Sequence, residues 1–141
     1  MCNILTELSI KRIQHTGIPV TDIHVSEMFY RKLGFTNVMQ AGFILEEEKG
    51  ICIMMQSGDM ILELYQLPDH KLAAIKNRKD GHIDHIAFDV TDIDHAFTVV
   101  KNAGYSIIER EPVFLQFWKN GCKFFNITGP DGERLEFNQV L

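Results

Sequence analysis

The stretch His85-Ile86-Ala87-Phe88-Asp89-Val90-Thr91-Asp92-Ile93 decides the fold, because the chain contains it twice. The earlier copy is His15-Thr16-Gly17-Ile18-Pro19-Val20-Thr21-Asp22-Ile23, about half a chain length upstream. In both, a His is followed at the same spacing by Val-Thr-Asp-Ile. The echo continues: Leu33-Gly34-Phe35-Thr36 is answered by Ala103-Gly104-Tyr105-Ser106. Leu62-Glu63-Leu64-Tyr65-Gln66-Leu67 is answered by Leu135-Glu136-Phe137-Asn138-Gln139-Val140. Each half opens with a His on an apolar run and closes with a Glu on another, which reads as a duplicated module.

Working outward, residues 1–10 read as a leader. A strand is predicted over Ile10–Val20, ended by Pro19 and the polar Thr21-Asp22. Thr21 or Asp22 then caps a helix to about Lys32 with Ile23, Ser26, Phe29, Tyr30 and Leu33 inward, stopping at Gly34. Strands follow over Phe35–Glu46, Gly50–Gln56 and Met60–Leu67, separated by the acidic run Glu46–Gly50 and by Ser57-Gly58-Asp59. Residues 68–81 are polar, carry Lys71, Lys76, Arg78 and Lys79, and read as a linker with room for a short helix.

The second half repeats the order: a strand over His82–Val90, a cap at Asp92, then Ile93, Ala96, Phe97 and Val100 at i, i+3, i+4 and i+7 of a helix ending at Gly104. Strands are predicted near Tyr105–Glu111, Lys123–Ile127 and Arg134–Val140, with an apolar loop over Pro112–Gly121 and a turn at Gly129-Pro130-Asp131-Gly132. The fold class is therefore α+β. Two tandem βαβββ modules, about 10–67 and 82–141 with linker 68–81, are expected to form a curved mixed sheet around a cleft, which the residues considered below make a metal-binding one, within a single 141-residue domain.

Strand parity sharpens the chemistry, since successive side chains point to opposite faces. Ile86, Phe88 and Val90 suit the helix side, and His85, Ala87 and Asp89 the other. Ile18 and Val20 oppose His15, Gly17 and Pro19; Leu62 and Leu64 oppose Glu63 and Tyr65; Leu135 and Phe137 oppose Arg134, Glu136 and Asn138. His15, Glu63, His85 and Glu136 thus all project from the helix-free side, where sheets curving toward one another would bring them to a shared cleft.

Composition bounds the function. Hydrophobic content of 45% and charged content of 23% suit a soluble globular protein that buries roughly two-thirds of its unfolded surface. A formal charge of −5 argues against nucleic acid as the main partner, which needs a basic face. No apolar run approaches the ~20 residues of a membrane span, and the first residues lack a signal-peptide pattern. Cys2, Cys52 and Cys122 are odd in number and far apart, which suits reduced thiols in a cytoplasm.

Two imidazoles and two carboxylates without a cationic neighbour invite a divalent ion such as Ni, Zn, Co, Mn or Fe. Octahedral binding by all four would leave two positions for water or substrate oxygens. A lone strand His or terminal Glu is ordinarily a hydrogen-bonded or solvated residue; the doubling is what favours the metal. His24 and His95 lie on helices, His70 lies in the linker, and His82 is a minor alternative ligand with opposite parity to a regular strand's His85. No Ser or Cys sits in a His–acid arrangement, and no glycine loop suits phosphate.

The paired modules, the run Asp22-Ile23-x-x-Ser26-x-x-Phe29-Tyr30-x-x-Leu33-Gly34-Phe35, and Gly129-Pro130-Asp131-Gly132 with Leu135-Glu136 resemble the vicinal oxygen chelate superfamily of glyoxalases, epimerases, dioxygenases and antibiotic-resistance proteins. The resemblance covers nearly the whole chain after residue 10. It implies that His15, Glu63, His85 and Glu136 fall on the four metal positions, an order most like bacterial glyoxalase I. It further implies a metal-dependent lyase or isomerase acting on an α-keto hemithioacetal through an enediolate, with Glu136 as base and Glu63 its counterpart. Racemisation of an acyl-CoA, as by methylmalonyl-CoA epimerase, and small-molecule binding or resistance are the alternatives. The epimerases usually have Gln at the place of Glu63, and bleomycin-binding members lack the ligands. Phe114, Phe117 and Trp118 are expected to shield substrate in the cleft, with core packing or a dimer contact as the other reading. Expected partners are a small-molecule substrate, such as a thiol adduct or an acyl-CoA, and a second copy in a homodimer.

Overall fold

A computed structural model describes residues 7–32, 34–78, 83–128 and 134–141. The expected leader up to residue 6, the inward Leu33, His82 and the turn at 129–132 lie outside the described residues. The chain divides into two compact units: His15–Asp84, and the residues up to Gln14 together with His85–Leu141.

In the unit His15–Asp84, the end of β1 (Ile10–Pro19) is followed by α1 (Ile23–Lys32), β2 (Thr36–Leu45), β3 (Glu48–Ser57), β4 (Met60–Gln66) and α2 (Asp69–Lys76). The strands lie in the order β2-β3-β4-β1. The hairpins are antiparallel, and β1 runs parallel to β4 with Gly17 opposite Glu63. A crossover from β1 through α1 is what a parallel pair requires. Asp22 starts α1 by accepting from the N–H groups of His24 and Val25, as the sequence suggested. Ile23, Val20, Ile53, Met55 and Leu64 form the core beneath the helix, with Tyr30 and Phe35 packed against it.

Phe29 departs from expectation. It is 58% exposed, beside exposed Val25 and Met28, and meets the Tyr30 ring in a T-shaped contact at 5.3 Å. Its helical position points past the sheet, which accepts Tyr30 instead. The turn after β2 is also tighter than the acidic run implied. Leu45 pairs with Glu48, so β3 begins before Gly50 and the hairpin loop is Glu46-Glu47, both at positive φ as a type I′ turn demands. The linker does form a helix. Lys71 donates to Glu46 at 2.8 Å, and His70 reaches Glu46 and Glu48 at 3.2 and 3.1 Å, clasping α2 to this turn. The Lys71 ammonium, and then His70, hold the Glu46 carboxyl below the ordinary carboxylate range.

The other unit contains β5 (His85–Val90), α3 (Ile93–Asn102), β6 (Val113–Leu115), β7 (Cys122–Thr128) and β8 (Arg134–Val140), in the order β5-β8-β7-β6. β5 and β8 are parallel, the rest antiparallel. Asp92 caps α3 by accepting from the His95 N–H, and Ile93, Ala96 and Val100 are buried as their spacing predicts. They meet Leu8, Val90, Phe125, Ile127 and Phe137; the rings of Phe125 and Phe137 stack at 5.0 Å and Phe97 stands edge-on to Phe125 at 5.1 Å. Each fully buried aliphatic side chain here contributes roughly 1.5–3 kcal/mol.

Two boundaries differ from the sequence reading. β5 starts at His85, with Ile83 and Asp84 outside it. The strand expected over Tyr105–Glu111 is reduced to a single bridge, Ile107 with Ile127, and the second strand of the module forms instead inside the apolar stretch, at Val113–Leu115. Glu109 explains this. Its carboxylate takes the Asn126 N–H at 2.6 Å, so a side chain supplies the acceptor that a neighbouring strand would have offered.

The units share a device in which Gln66 accepts the Ile23 N–H at 2.9 Å and Gln139 accepts the Ile93 N–H at 3.0 Å. In each, the last strand thereby satisfies an open donor at the helix start. Both helices stop at a left-handed glycine, Gly34 (φ 94°) and Gly104 (φ 80°).

Candidate functional site

In the unit His15–Asp84, His15 and Glu63 come from the parallel strands β1 and β4. Nε2 of His15 stands 3.5 Å from Oε2 of Glu63, with the two side chains 1% and 12% exposed. Gly17 lies directly opposite Glu63 in the parallel pair. The remainder of this face is apolar and sulfur-rich. Met54 lies opposite Glu63, Cys52 lies opposite Tyr65, and all three neighbours are buried. The Cys52 thiol donates to Oε1 of Glu63 at 3.6 Å.

In the other unit, Nε2 of His85 stands 3.6 Å from Oε2 of Glu136, on side chains 5% and 9% exposed. Here the surroundings are polar. Oε1 of Glu136 accepts from Nδ2 of Asn138 at 2.7 Å, and Oδ1 of Asn138 accepts from Nε2 of Gln14 at 2.9 Å. That chain orients the carboxylate. Arg12 lies 3.6 Å from Asp89 on the same strand face as His85.

Both pairs test the fit of a metal. An imidazole nitrogen and carboxylate oxygen at 3.5 and 3.6 Å are wider than a hydrogen bond prefers. Ligand atoms ~2.1 Å from a common ion stand roughly 3.4 Å apart at tetrahedral angles and roughly 3.0 Å apart at octahedral ones, so each pair lies close to the first separation and about half an ångström beyond the second. Nitrogen and oxygen donors of this kind suit the borderline divalent metals. The two pairs fit.

His24 and His95 are exposed on their helices, as expected. His70 engages the glutamates described above. Of the aromatic residues expected near substrate, Phe117 is 4% exposed and Trp118 is partly buried at φ 64°, with an indole N–H that is buried and has no hydrogen-bond partner. Phe114 is placed differently from Phe117. It pairs with Lys123, whose ammonium reaches Asp94 of α3, so Phe114 lies on the helix side of its sheet and is 50% exposed. Val113 and Leu115, paired with Phe124 and Cys122, have the parity of Asn126 and Glu136. The apolar stretch conceals this parity because both faces of β6 are apolar.

Sequence reasoning placed Asn138 on the correct face and missed its hold on Glu136. It also missed Gln14, Cys52 and the Glu109–Asn126 pair. Asn126 could have been noticed as the one polar residue in Phe124-Phe125-Asn126-Ile127. No helix among the described residues is long and apolar enough to cross a membrane.

Residues 12–137 match the family model of the Glyoxalase/Bleomycin resistance protein/Dioxygenase superfamily. The uncharacterized protein YwbC of Bacillus subtilis (strain 168) is 32% identical over 139 residues, covering 92% of this chain and 98% of that protein. The structure of a hypothetical protein from Bacillus halodurans C-125 superposes with a TM-score of 0.74 at 23% identity, over 92% of this chain and 94% of the other. Methylmalonyl-CoA epimerase from Mycobacterium tuberculosis gives 0.75 at 17% identity, over 94% and 90%. At such identities these two structures speak for the fold. With the family match spanning nearly all of the sequence, the chain belongs to the Glyoxalase/Bleomycin resistance protein/Dioxygenase superfamily.

Proposed function

We propose that His15, Glu63, His85 and Glu136 together hold one divalent metal ion, and that the protein catalyses proton transfer at a carbon beside a carbonyl. The substrate is an α-keto hemithioacetal, and the reaction is a glyoxalase I-like isomerisation. The observation that carries this reading is the twinned pair: a buried imidazole 3.5 or 3.6 Å from a carboxylate, at duplicated positions on the helix-free face of each unit. The bound ion supplies Lewis-acid stabilisation of negative charge on the substrate oxygens.

The chain's own groups do the rest. Glu136 takes the proton and returns it to the adjacent carbon, because Asn138 and Gln14 hold its carboxylate in one orientation, and position comes before basicity in a general base. Glu63, with a thiol as its neighbour, is the symmetric counterpart and second base. Phe117 and Trp118 exclude water from the path of the substrate.

A second reading, epimerisation of an acyl-CoA, draws support from the fold shared with methylmalonyl-CoA epimerase. Proton return to the same carbon from the opposite side would use the same groups. The deciding experiment measures metal per chain in purified protein, then offers methylglyoxal–thiol adducts and a chiral malonyl-type thioester. Turnover of the adduct supports the first reading, and racemisation of the thioester alone supports the second. Tight binding of small molecules with neither reaction would leave a binding protein.

A further inference from the structure

We propose that the side-chain oxygen of Asn126 is a substrate-binding acceptor that selects a hydroxyl group beside the reacting carbonyl, and that Glu109 is the positioning residue that aims it. The inference deepens the reading above and rests on it. Asn126 is 3% exposed, and its Oδ1 is buried with no hydrogen-bond partner. Buried polar side chains in native proteins are nearly always paired, so such an atom calls for an explanation.

Its orientation is settled by Glu109. Nδ2 of Asn126 donates to Oε1 of Glu109 at 2.8 Å, and the backbone N–H donates to Oε2 at 2.6 Å. An ionised carboxylate only accepts, so the amide nitrogen must face Glu109 and the oxygen must face away from it. Glu109 sits at the edge of β7, where the Ile108 N–H donates to the Asn126 carbonyl. On the other side of β7 lies β8, in which Asn126 is directly opposite Glu136. Opposed residues of an antiparallel pair share a face, with Cβ atoms about 4.5–5.5 Å apart. Asn126 therefore offers a fixed, desolvated acceptor on the face that carries the proposed base.

Two neighbouring acceptors are complementary to a donor. A substrate hydroxyl beside the carbonyl supplies one. A carboxylate in the same place would meet a second set of lone pairs, so this arrangement favours hydroxy-carbonyl thiol adducts over malonyl-type thioesters.

The test uses the full chain loaded with metal and two probes, S-lactoyl-N-acetylcysteamine and S-(2-methoxypropionyl)-N-acetylcysteamine, which differ in whether the oxygen can donate. Calorimetric affinities are measured alongside metal content and far-ultraviolet circular dichroism. The wild type should prefer the hydroxyl probe about tenfold or more, since a site built to pair a hydroxyl rejects the analogue that cannot donate. Asn126→Ala should bring the two affinities to within about threefold of one another with metal content unchanged. Glu109→Gln provides the second variant: a glutamine can donate as well as accept, which releases the Asn126 amide to turn over, and the preference should fall there too. Preference intact in both variants, or absent in metal-loaded wild type, overturns the inference while leaving the metal reading in place. Wild type that takes up no metal overturns the proposed function, and this inference with it.

Discussion

Glu63 and Glu136 stand at duplicated positions, each 3.5–3.6 Å from a buried histidine, yet their neighbours differ in kind. Oε1 of Glu63 meets a thiol at 3.6 Å on a face of methionine, cysteine and tyrosine. Oε1 of Glu136 accepts a carboxamide hydrogen bond at 2.7 Å, backed by a second carboxamide. A thiol is a weak donor and an amide a strong one. The two modules keep the same His–Glu pair in surroundings that differ, apolar and sulfur-rich around Glu63 and carboxamide-lined around Glu136. The same asymmetry distinguishes the carboxylates: Oε1 of one accepts from an amide, Oε1 of the other from a thiol.

The comparison can be broken most forcefully at the carboxylates. Glu136→Gln should lower kcat/KM for a hemithioacetal by on the order of a thousandfold, the usual span for a positioned base. Glu63→Gln should cost less, about a hundredfold or below, seen mainly as weaker metal retention. Steady-state kinetics with metal analysis would check both, and equal losses would erase the proposed division of labour.

The next effect lies one layer out. Asn138→Ala should weaken metal affinity or activity by about 10–100-fold, the range for residues that orient ligands, while Cys52→Ala should change either by only about threefold or less. Competition with a chelator of known affinity would separate them. A Cys52→Ala loss matching that of Asn138→Ala would show that the thiol contact orients Glu63 as firmly as the amide orients Glu136.

A smaller effect concerns the matched glutamines. Gln66→Leu and Gln139→Leu should each reduce unfolding free energy by about 1 kcal/mol, as loss of a helix cap does. Gln139→Leu should be the costlier, because Gln139 also donates to the Thr91 carbonyl at 2.9 Å. Urea titrations would rank them.

The smallest effect is one of acidity. Asn37 foremost, and then Arg31, hold the Glu27 carboxyl below the ordinary range, as Lys71 and His70 do for Glu46, and all of these lie in the unit His15–Asp84. A folded-state carboxyl that is depressed contributes stability present above its unfolded pKa, which is lost as pH falls through the folded one. Melting temperature should therefore drop modestly below about pH 4.3, the unfolded glutamate value, and Lys71→Ala should blunt that drop. An acid response unchanged by Lys71→Ala would show that the clasp between α2 and the β2–β3 turn contributes nothing to it.

Much of the architecture was legible in residue order alone. The repeated His–Val-Thr-Asp-Ile stretch announced two copies of one module, and helix α3 could be read from Ile93, Ala96 and Val100. The helix-free side of His15, Glu63, His85 and Glu136 followed from alternation along each strand. These are local properties, set by the periods of helix and strand, so they survive without knowledge of what packs against what. Which neighbour each polar group would meet was not local. The placement of Phe114 beside Lys123, the capture of the Asn126 N–H by Glu109 in place of a strand, and the Cys52 and Asn138 contacts depend on strand register and on residues distant in the chain. The sequence by itself determined the repeated modules and the strand faces of their chemical groups. Only the tertiary structure decided which carboxylate is held by an amide and which meets a thiol, because pairing across strands, unlike alternation along one, is written in no single segment.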